Sequence, residues 1–234
     1  VISIRYPEEL QKLEMIEKEQ HLPFCTRLVR VLLPSGICHY YGKEGETEPP
    51  REEDTPSVRY LAYGSSITHG SLSLILPFSY PFLIAEVLGV DCINQGYAGS
   101  AFMEASVAEY MVSRKDWNFA TLELGINMLG TSISDEEYEQ RVIKFLDFFA
   151  KDGRPVFVTD IFGNNQNNQE RAKVFREIIY RNATAKNMFY RNGLHLLDNS
   201  AYISTDMVHS SGAGHRRIAE CWIEIIKDTL LVLE

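Results

Sequence analysis

From Ser57 onward, short apolar runs alternate with stretches whose apolar residues recur every three to four positions. Val58–Gly64 (VRYLAYG) is an apolar run ending in Gly and Ser, which predicts a strand feeding a turn. Ser79–Leu88 has helical spacing, with Pro81 suited to a first helical turn. Val90–Gly96 predicts a second strand, Ala101–Arg114 a second helix and Phe119–Gly125 (FATLELG) a third strand. Ser134 and Glu137 form a capping-box pattern ahead of Tyr138, Val142, Phe145, Leu146 and Phe149, one face of a helix. Pro155–Phe162 predicts a fourth strand, Glu170–Ala185 a helix and Leu194–Asp198 a short fifth strand. A last helix carries Ile218, Trp222, Ile225, Ile226 and Thr229 on one face.

Such alternation predicts parallel strands joined by helical crossovers, hence an α/β fold: a three-layer α/β/α sandwich around a central parallel sheet of about five strands. In that architecture ligands bind outside the carboxyl ends of the strands. The residues just after 64, 96, 125 and 162 are therefore the place to look for chemistry.

Residues 1–56 have a different pattern. Pro7, Glu8 and Glu9 read as a helix start, continuing to about Lys18. Arg27–Leu33 and Ile37–Tyr41 read as two short strands around the turn Pro34-Ser35-Gly36, a β-hairpin. Gly42–Pro56 is charged and Pro-rich and reads as a linker. The expected division is thus 1–56 and 57–234. So short an N-terminal segment needs something to lean on, and a homodimer would give its strands a place to be buried.

Composition narrows the function classes. The 234 residues include 23 Lys+Arg against 32 Asp+Glu, a formal charge of −9. Nucleic acid and anionic membranes demand clustered cations, so neither is expected as a partner. No apolar run reaches the roughly 18–20 residues of a membrane span, and no basic start precedes an apolar signal stretch. A cytoplasmic location is the expectation, with Val1 in place of Met leaving room for a trimmed N-terminus. Cys25, Cys38, Cys92 and Cys221 show neither CxxC spacing nor the density of a disulfide scaffold. Cys92 and Cys221 read as small core residues.

The first strand runs into Gly64-Ser65-Ser66-Ile67-Thr68-His69-Gly70. A serine on a tight strand-to-helix turn exposes its hydroxyl and can serve as a nucleophile; Ser and Thr are equally the preferred helix caps. No Lys follows Gly70, so a phosphate-cradling P-loop does not fit, and Thr68 stands where a GxSxG elbow needs its second Gly. After the second strand, Gly96 and Gly99 either let a backbone N–H approach a ligand or simply turn the chain. Asn127, after the third strand, can donate its amide to a developing oxyanion or cap a loop. In Asp206-Met207-Val208-His209 the carboxylate is spaced to hold the imidazole in one tautomer. His215 reads as a surface or capping residue at the start of the last helix.

Taken together and in order, these blocks resemble the SGNH (GDSL-like) hydrolase superfamily over about residues 57–232. Gly64-Ser65-Ser66-Ile67 is similar to the family's Gly-Asp-Ser-Ile/Leu block, Gly99 to its second-block glycine, Gly125-Ile126-Asn127-Met128 to Gly-x-Asn-Asp, and Asp206-x-x-His209 to its last block. Ser65 and Met128 stand where the pattern has Asp. The start Tyr63-Gly64-Ser65-Ser66-Ile67-Thr68 resembles a bacterial acylhydrolase subgroup whose members often carry an N-terminal β-sandwich, of which residues 1–56 would be a remnant.

The resemblance implies a flavodoxin-like fold and an ester hydrolase. Ser66 would be the nucleophile, His209 the base and Asp206 its orienter; Ser66, Gly99 and Asn127 would form the oxyanion hole. Neither metal nor cofactor is implied, and the partner is a small-molecule ester. Asn164 and Asn165, in the Asn/Gln-rich loop 163–169, can hydrogen-bond a carbohydrate-like substrate or belong to a solvated loop. The apolar segment Leu72–Phe78 can line an acyl pocket or pack under the first helix. An acyltransferase using the same residues, a binding module without turnover, and a phosphate or nucleotide binder are the competing classes.

Overall fold

The computed structural model describes residues 3–5, 8–20, 25–33, 37–166 and 168–233. The chain divides into two units, Val1–Ser57 and Val58–Glu234.

In the first unit, α1 spans Glu8–Gln20 and buries none of its residues. Glu17 ties the following turn, accepting from the Thr26 backbone at 2.8 Å and the Thr26 hydroxyl at 2.5 Å. A single 3-10 turn covers Glu52–Asp54 within the linker-like stretch. The hairpin expected here does not form: residues 28–33 and 37–41 carry no strand. Their apolar side chains explain why, since Val29, Leu33, Ile37 and Tyr41 all stay exposed. Two strands with no core to cover are marginal in water. Pro7 and the Pro34-Ser35-Gly36 turn lie outside the described residues.

The second unit is built on a sheet of five parallel strands: β1 (Arg59–Gly64), β2 (Asp91–Gly96), β3 (Phe119–Glu123), β4 (Val156–Thr159) and β5 (Phe189–Arg191), in the order β2-β1-β3-β4-β5. Its helices are α2 (Ser66–His69), α3 (Tyr80–Leu88), α4 (Ala105–Ser113), α5 (Asp135–Asp152), α6 (Gln169–Ala185), α7 (Gly193–Leu196) and α8 (Gly212–Leu233). This is the α/β sandwich the alternation predicts.

Strand β1 reads as a continuous apolar run because both faces of the sheet are covered. Successive side chains point to opposite faces. Leu61 and Tyr63 join one core cluster with residues of α4, α5 and α6. Tyr60 and Ala62 join another with residues of α3 and α8. The predicted face of α5 is the buried one: Tyr138, Val142, Phe145, Leu146 and Phe149, with Ser134 accepting from Glu137 N at 3.2 Å as the N-cap. On α8, Ile218, Trp222 and Ile226 are fully buried. Cys92 and Cys221 pack, partly buried, against that second cluster.

Two elements differ from expectation. The fifth strand is Phe189–Arg191, and the apolar run expected there folds into the one-turn helix α7. Asn192 caps that turn through Leu194 N at 2.8 Å. A side chain at position 193 would come 2.7 Å from the Ile161 carbonyl, so the turn packs on the end of the sheet only with Gly193 there. Helix α4 starts at Ala105 rather than Ala101, because Gly99 (φ 72°) and Met103 (φ 55°) hold the preceding loop in left-handed conformations. Among the described residues, no helix is long and apolar enough to cross a membrane.

Candidate active site

β1 delivers Ser66 to the carboxyl edge of the sheet. Ser65 accepts from Ile67 N at 3.2 Å and so caps α2, which makes Ser66 its first residue. Ser65 is fully buried, so the hydroxyl that faces the solvent-filled edge is that of Ser66. The tight turn depends on small residues. A Cβ on Gly96, at the end of β2, would lie 2.2 Å from His69 N, and Gly70 closes α2 at φ 109°.

The loop between Tyr202 and α8 brings the other two side chains in. An Ile203–Ser210 bridge and the Ser204 N to His209 O bond at 2.8 Å close it into a narrow loop. At its tip Met207 turns the chain at φ 63°. Ser66 Oγ lies 2.7 Å from His209 Nε2, and His209 Nδ1 lies 2.5 Å from Asp206 Oδ2. The second Asp206 oxygen accepts from Ser204 Oγ at 2.7 Å and from Val208 N and His209 N at 3.0 and 2.9 Å. Burial pushes the Asp206 carboxyl up, but these bonds from Ser204, Val208 and His209 outweigh it and hold the group well below the usual carboxylate range. An ionised Asp206 keeps the proton on His209 Nδ1, so Nε2 is the acceptor facing the Ser66 hydroxyl.

A cavity of about 1090 Å³ opens over these groups, lined among others by Ser66, Gly99, Asn127, Asp206 and His209. Asn127 is oriented by Ala101 N, which donates to its Oδ1 at 3.0 Å. The loop from β4 to α6 supplies another wall with Asn165, Gln166 and Asn168. Asn165 N donates to Met207 O at 2.9 Å, which ties this loop to the one carrying Asp206 and His209.

Several sequence expectations are corrected here. Asn164 does not line the cavity: its amide donates to Phe162 O and its Oδ1 accepts from Gln166 N and Gln169 Nε2, so it folds the loop internally. Asn167 lies outside the described residues. No residue of Leu72–Phe78 lines the cavity, and Leu72, Leu74, Ile75 and Phe78 are exposed rather than packed. His215 is neither surface nor cap. It is fully buried, accepting from Tyr80 N at 3.3 Å and donating to Ser71 O at 3.1 Å, and burial pushes its imidazole down to about 4. Sequence reasoning also passed over Glu123, the last residue of β3, which is buried and accepts from Ser65 N at 2.6 Å. Its signal was a lone charge in an otherwise apolar strand.

A match to family models covers residues 62–217, more than half of the chain, and it is to the GDSL-like Lipase/Acylhydrolase family. The chain belongs to this family. Curated proteins contain no match. Among solved structures, a protein from Bacteroides ovatus ATCC 8483 assigned as a GDSL-like lipase is 22% identical, with a TM-score of 0.63 over 76% of this chain and 55% of its own. The acetylxylan esterase Axe2 from Geobacillus stearothermophilus is 17% identical, with a TM-score of 0.60 over 73% of this chain and 94% of its own. The salicylyl-acyltransferase SsfX3 from a tetracycline biosynthetic pathway is 16% identical, with a TM-score of 0.60 over 73% of this chain and 54% of its own. This chain thus spans about half the length of the B. ovatus and SsfX3 proteins. The fold is that of the GDSL hydrolases, and the family's chemistry is acylhydrolysis.

At Ser65 and Met128, where the sequence resemblance places Asp, the structure accounts for the residues present. Ser65 still caps α2 with its side-chain oxygen, the local task a carboxylate can also perform. Met128, where the pattern has a second Asp, is buried in the core beside Leu129 and asks for no polar partner.

Proposed function

We propose that the chain is a serine esterase that cleaves a short-chain acyl ester of a polar, carbohydrate-like alcohol. The observation that carries this reading is the Asp206–His209–Ser66 hydrogen-bonded chain ending at a cavity that Gly99 and Asn127 also line. Ser66 Oγ attacks the ester carbonyl carbon while its proton passes to His209 Nε2. The carbonyl electron pair moves to oxygen, where Ser66 N, Gly99 N and the Asn127 amide stabilise it. The tetrahedral intermediate collapses, the C–O bond to the alcohol breaks, and the alcohol leaves with the His209 proton. Water, deprotonated by His209, then attacks the acyl-Ser66 carbonyl; the acyl C–Oγ bond breaks, Ser66 Oγ takes the proton back from His209, and the acid is released. Asp206 keeps the imidazole oriented and stabilises its charged form throughout.

Two features support the polar alcohol and the small acyl group. The wall formed by Asn165, Gln166 and Asn168 offers amide donors and acceptors to hydroxyl groups, and the apolar segment 72–78 stays off the cavity. The similar protein Axe2 is an acetylxylan esterase by name. A second reading, acyl transfer to an alcohol instead of water, is favoured by the likeness to an acyltransferase and by a cavity open enough for an acceptor.

Hydrolysis of p-nitrophenyl acetate, butyrate and octanoate by the wild type and Ser66→Ala tests the esterase. Activity should fall with chain length and vanish in a folded Ser66→Ala. Activity surviving that substitution would sink the assignment of Ser66. Product that forms only when an alcohol is added would select the transferase. No turnover on any ester would favour the binding module.

A further inference from the structure

Directly beneath the nucleophile turn lies a carboxylate that the mechanism above does not use. Glu123 ends β3 and is 1% exposed. Its Oε2 accepts from Ser65 N at 2.6 Å and from Thr68 Oγ1 at 3.0 Å. These donors flank Ser66 on either side, one residue before it and two after. Gly64 makes the room: a Cβ there would sit 2.4 Å from Glu123 Oε2 and 2.1 Å from Thr68 Oγ1. Among the described residues no cation pairs with Glu123, and its Oε1 is buried without a hydrogen-bond partner. A buried carboxyl held by the donors of one turn is costly unless that turn needs it. A packed Leu or Met would fill the site without the desolvation.

The clamp continues outward. Thr68 Oγ1 is 2.7 Å from Tyr80 OH, Tyr80 N donates to His215 Nδ1, and His215 Nε2 donates to Ser71 O. His215 sits in the first turn of α8, directly after the loop that carries Asp206 and His209. The two halves of the site, the Ser66 turn and the His209 loop, are thereby braced through one buried polar chain starting at Glu123. Burial raises the Glu123 pKa, and the Ser65 and Thr68 bonds oppose that rise.

We propose that Glu123 is a positioning residue for the nucleophile: by clamping Ser65 N and Thr68 Oγ1 it holds Ser66 Oγ in line with His209 Nε2 and keeps the Ser66 N–H aimed at the cavity. This rests on the esterase reading given above. Removing the clamp lets the turn shift by a fraction of an ångström to an ångström, and displacements of that size reduce turnover by roughly 10²-fold. Substrate binding across the cavity does not pass through Glu123, so KM is left nearly alone.

The test compares wild type, Glu123→Gln, Glu123→Met and Thr68→Val for kcat, KM and the rate of Ser66 phosphonylation by a fluorophosphonate, each per folded molecule by near-UV circular dichroism. Glu123→Met should lower kcat and the phosphonylation rate together by roughly 10²-fold with KM within a few-fold. Glu123→Gln, which keeps an acceptor oxygen, should recover most of the loss. Thr68→Val, which removes one donor and leaves the carboxyl in place, should give an intermediate loss and covers the case in which Glu123→Met does not fold. A merely structural role would lower the melting temperature and leave the per-molecule rates alone. Rates within twofold of wild type in folded Glu123→Met, or in Thr68→Val where Glu123→Met does not fold, on a wild type that labels and turns over, would overturn the role of Glu123 alone. A wild type that neither labels nor hydrolyses esters would overturn the esterase reading and this role with it.

Discussion

Asn127 Oδ1 accepts a hydrogen bond from Ala101 N at 3.0 Å, and this single contact decides which end of the Asn127 amide is available. With the oxygen engaged by the loop after β2, the Nδ2 hydrogens have no protein acceptor among the described residues, and the side chain lines the cavity over Ser66. The loop carrying Gly99 and the turn carrying Asn127 are thus set relative to each other by the same bond that aims the donor.

Asn127→Ala is therefore expected to lower kcat by roughly 10²–10³-fold, the usual loss for one oxyanion donor. KM should change little, because the donor strengthens only as charge develops on the oxygen. Steady-state kinetics on a short-chain ester checks both. Removing the Ala101 bond should cost about 1 kcal/mol of stability, so the variant should still fold. An unchanged kcat would remove Asn127 from the oxyanion hole.

Asp206→Asn is expected to be more damaging than its size suggests. The carboxylate accepts the proton on His209 Nδ1, whereas an amide can present NH₂ there and favour the tautomer with the proton on Nε2. That tautomer cannot accept from Ser66. A loss of roughly 10³–10⁴-fold in kcat is expected, by analogy with the handling of this pair in serine proteases. Because its hydrogen bonds hold Asp206 well below the usual carboxylate range, the acid limb of the wild-type pH profile should not contain a second step from Asp206 between pH 4 and pH 6. The profile of kcat/KM against pH, fitted for one or two acidic groups, decides this.

How far the sequence could be read depends on whether a residue's role is local. β1 and α5 were legible because burial on both faces of a strand and on one face of a helix leaves a periodic trace in neighbouring residues. Ser66, Asp206 and His209 could be named because each sits in a short block with its own local chemistry, and the structure brings the three together. The N-terminal hairpin failed for the opposite reason: Arg27–Leu33 and Ile37–Tyr41 have strand-like composition, but composition does not supply the surface a strand must cover. β5 was missed because Leu194–Leu197 is more apolar than Phe189–Arg191; the Asn192 cap is a local signal for the turn that formed instead, while the close approach of Gly193 to Ile161 is tertiary. His215 carries a polar side chain whose partners lie in Tyr80 and Ser71, at distances along the chain that no local pattern records, whereas the partners of Asn164 lie within five residues of it.

The two asparagines after β4 should separate cleanly. Asn164 spends its side chain on Phe162 O, Gln166 N and Gln169 Nε2, so Asn164→Ala should destabilise the loop by about 1–3 kcal/mol, seen as a lower melting temperature. Asn165 is exposed and lines the cavity, so Asn165→Ala should leave stability within about 0.5 kcal/mol of wild type. Its effect should be a raised KM for an acetylated oligosaccharide, with p-nitrophenyl acetate unaffected. Equal effects on both esters would remove Asn165 from recognition of the alcohol.

His215 makes stability depend on pH in a defined window. Its imidazole lies at about 4 in the folded protein, against an ordinary value of 6.5, because burial disfavours the charged ring. Between those values the unfolded chain binds a proton that the folded chain does not, so stability falls as pH falls from about 6.5 to about 4. The shift of 6.5 − 4 = 2.5 corresponds to about 3 kcal/mol lost across the window. Above pH 6.5 both states hold a neutral ring and the contribution is flat. His215→Asn offers an oxygen to Tyr80 N but cannot take up a proton, so it should be less stable than wild type at pH 8, where the Ser71 contact is lost, and the gap should narrow or reverse at pH 4.5. Urea unfolding of both proteins at the two pH values measures the difference directly, and a gap that stayed constant would mean that His215 titrates alike in the folded and unfolded states.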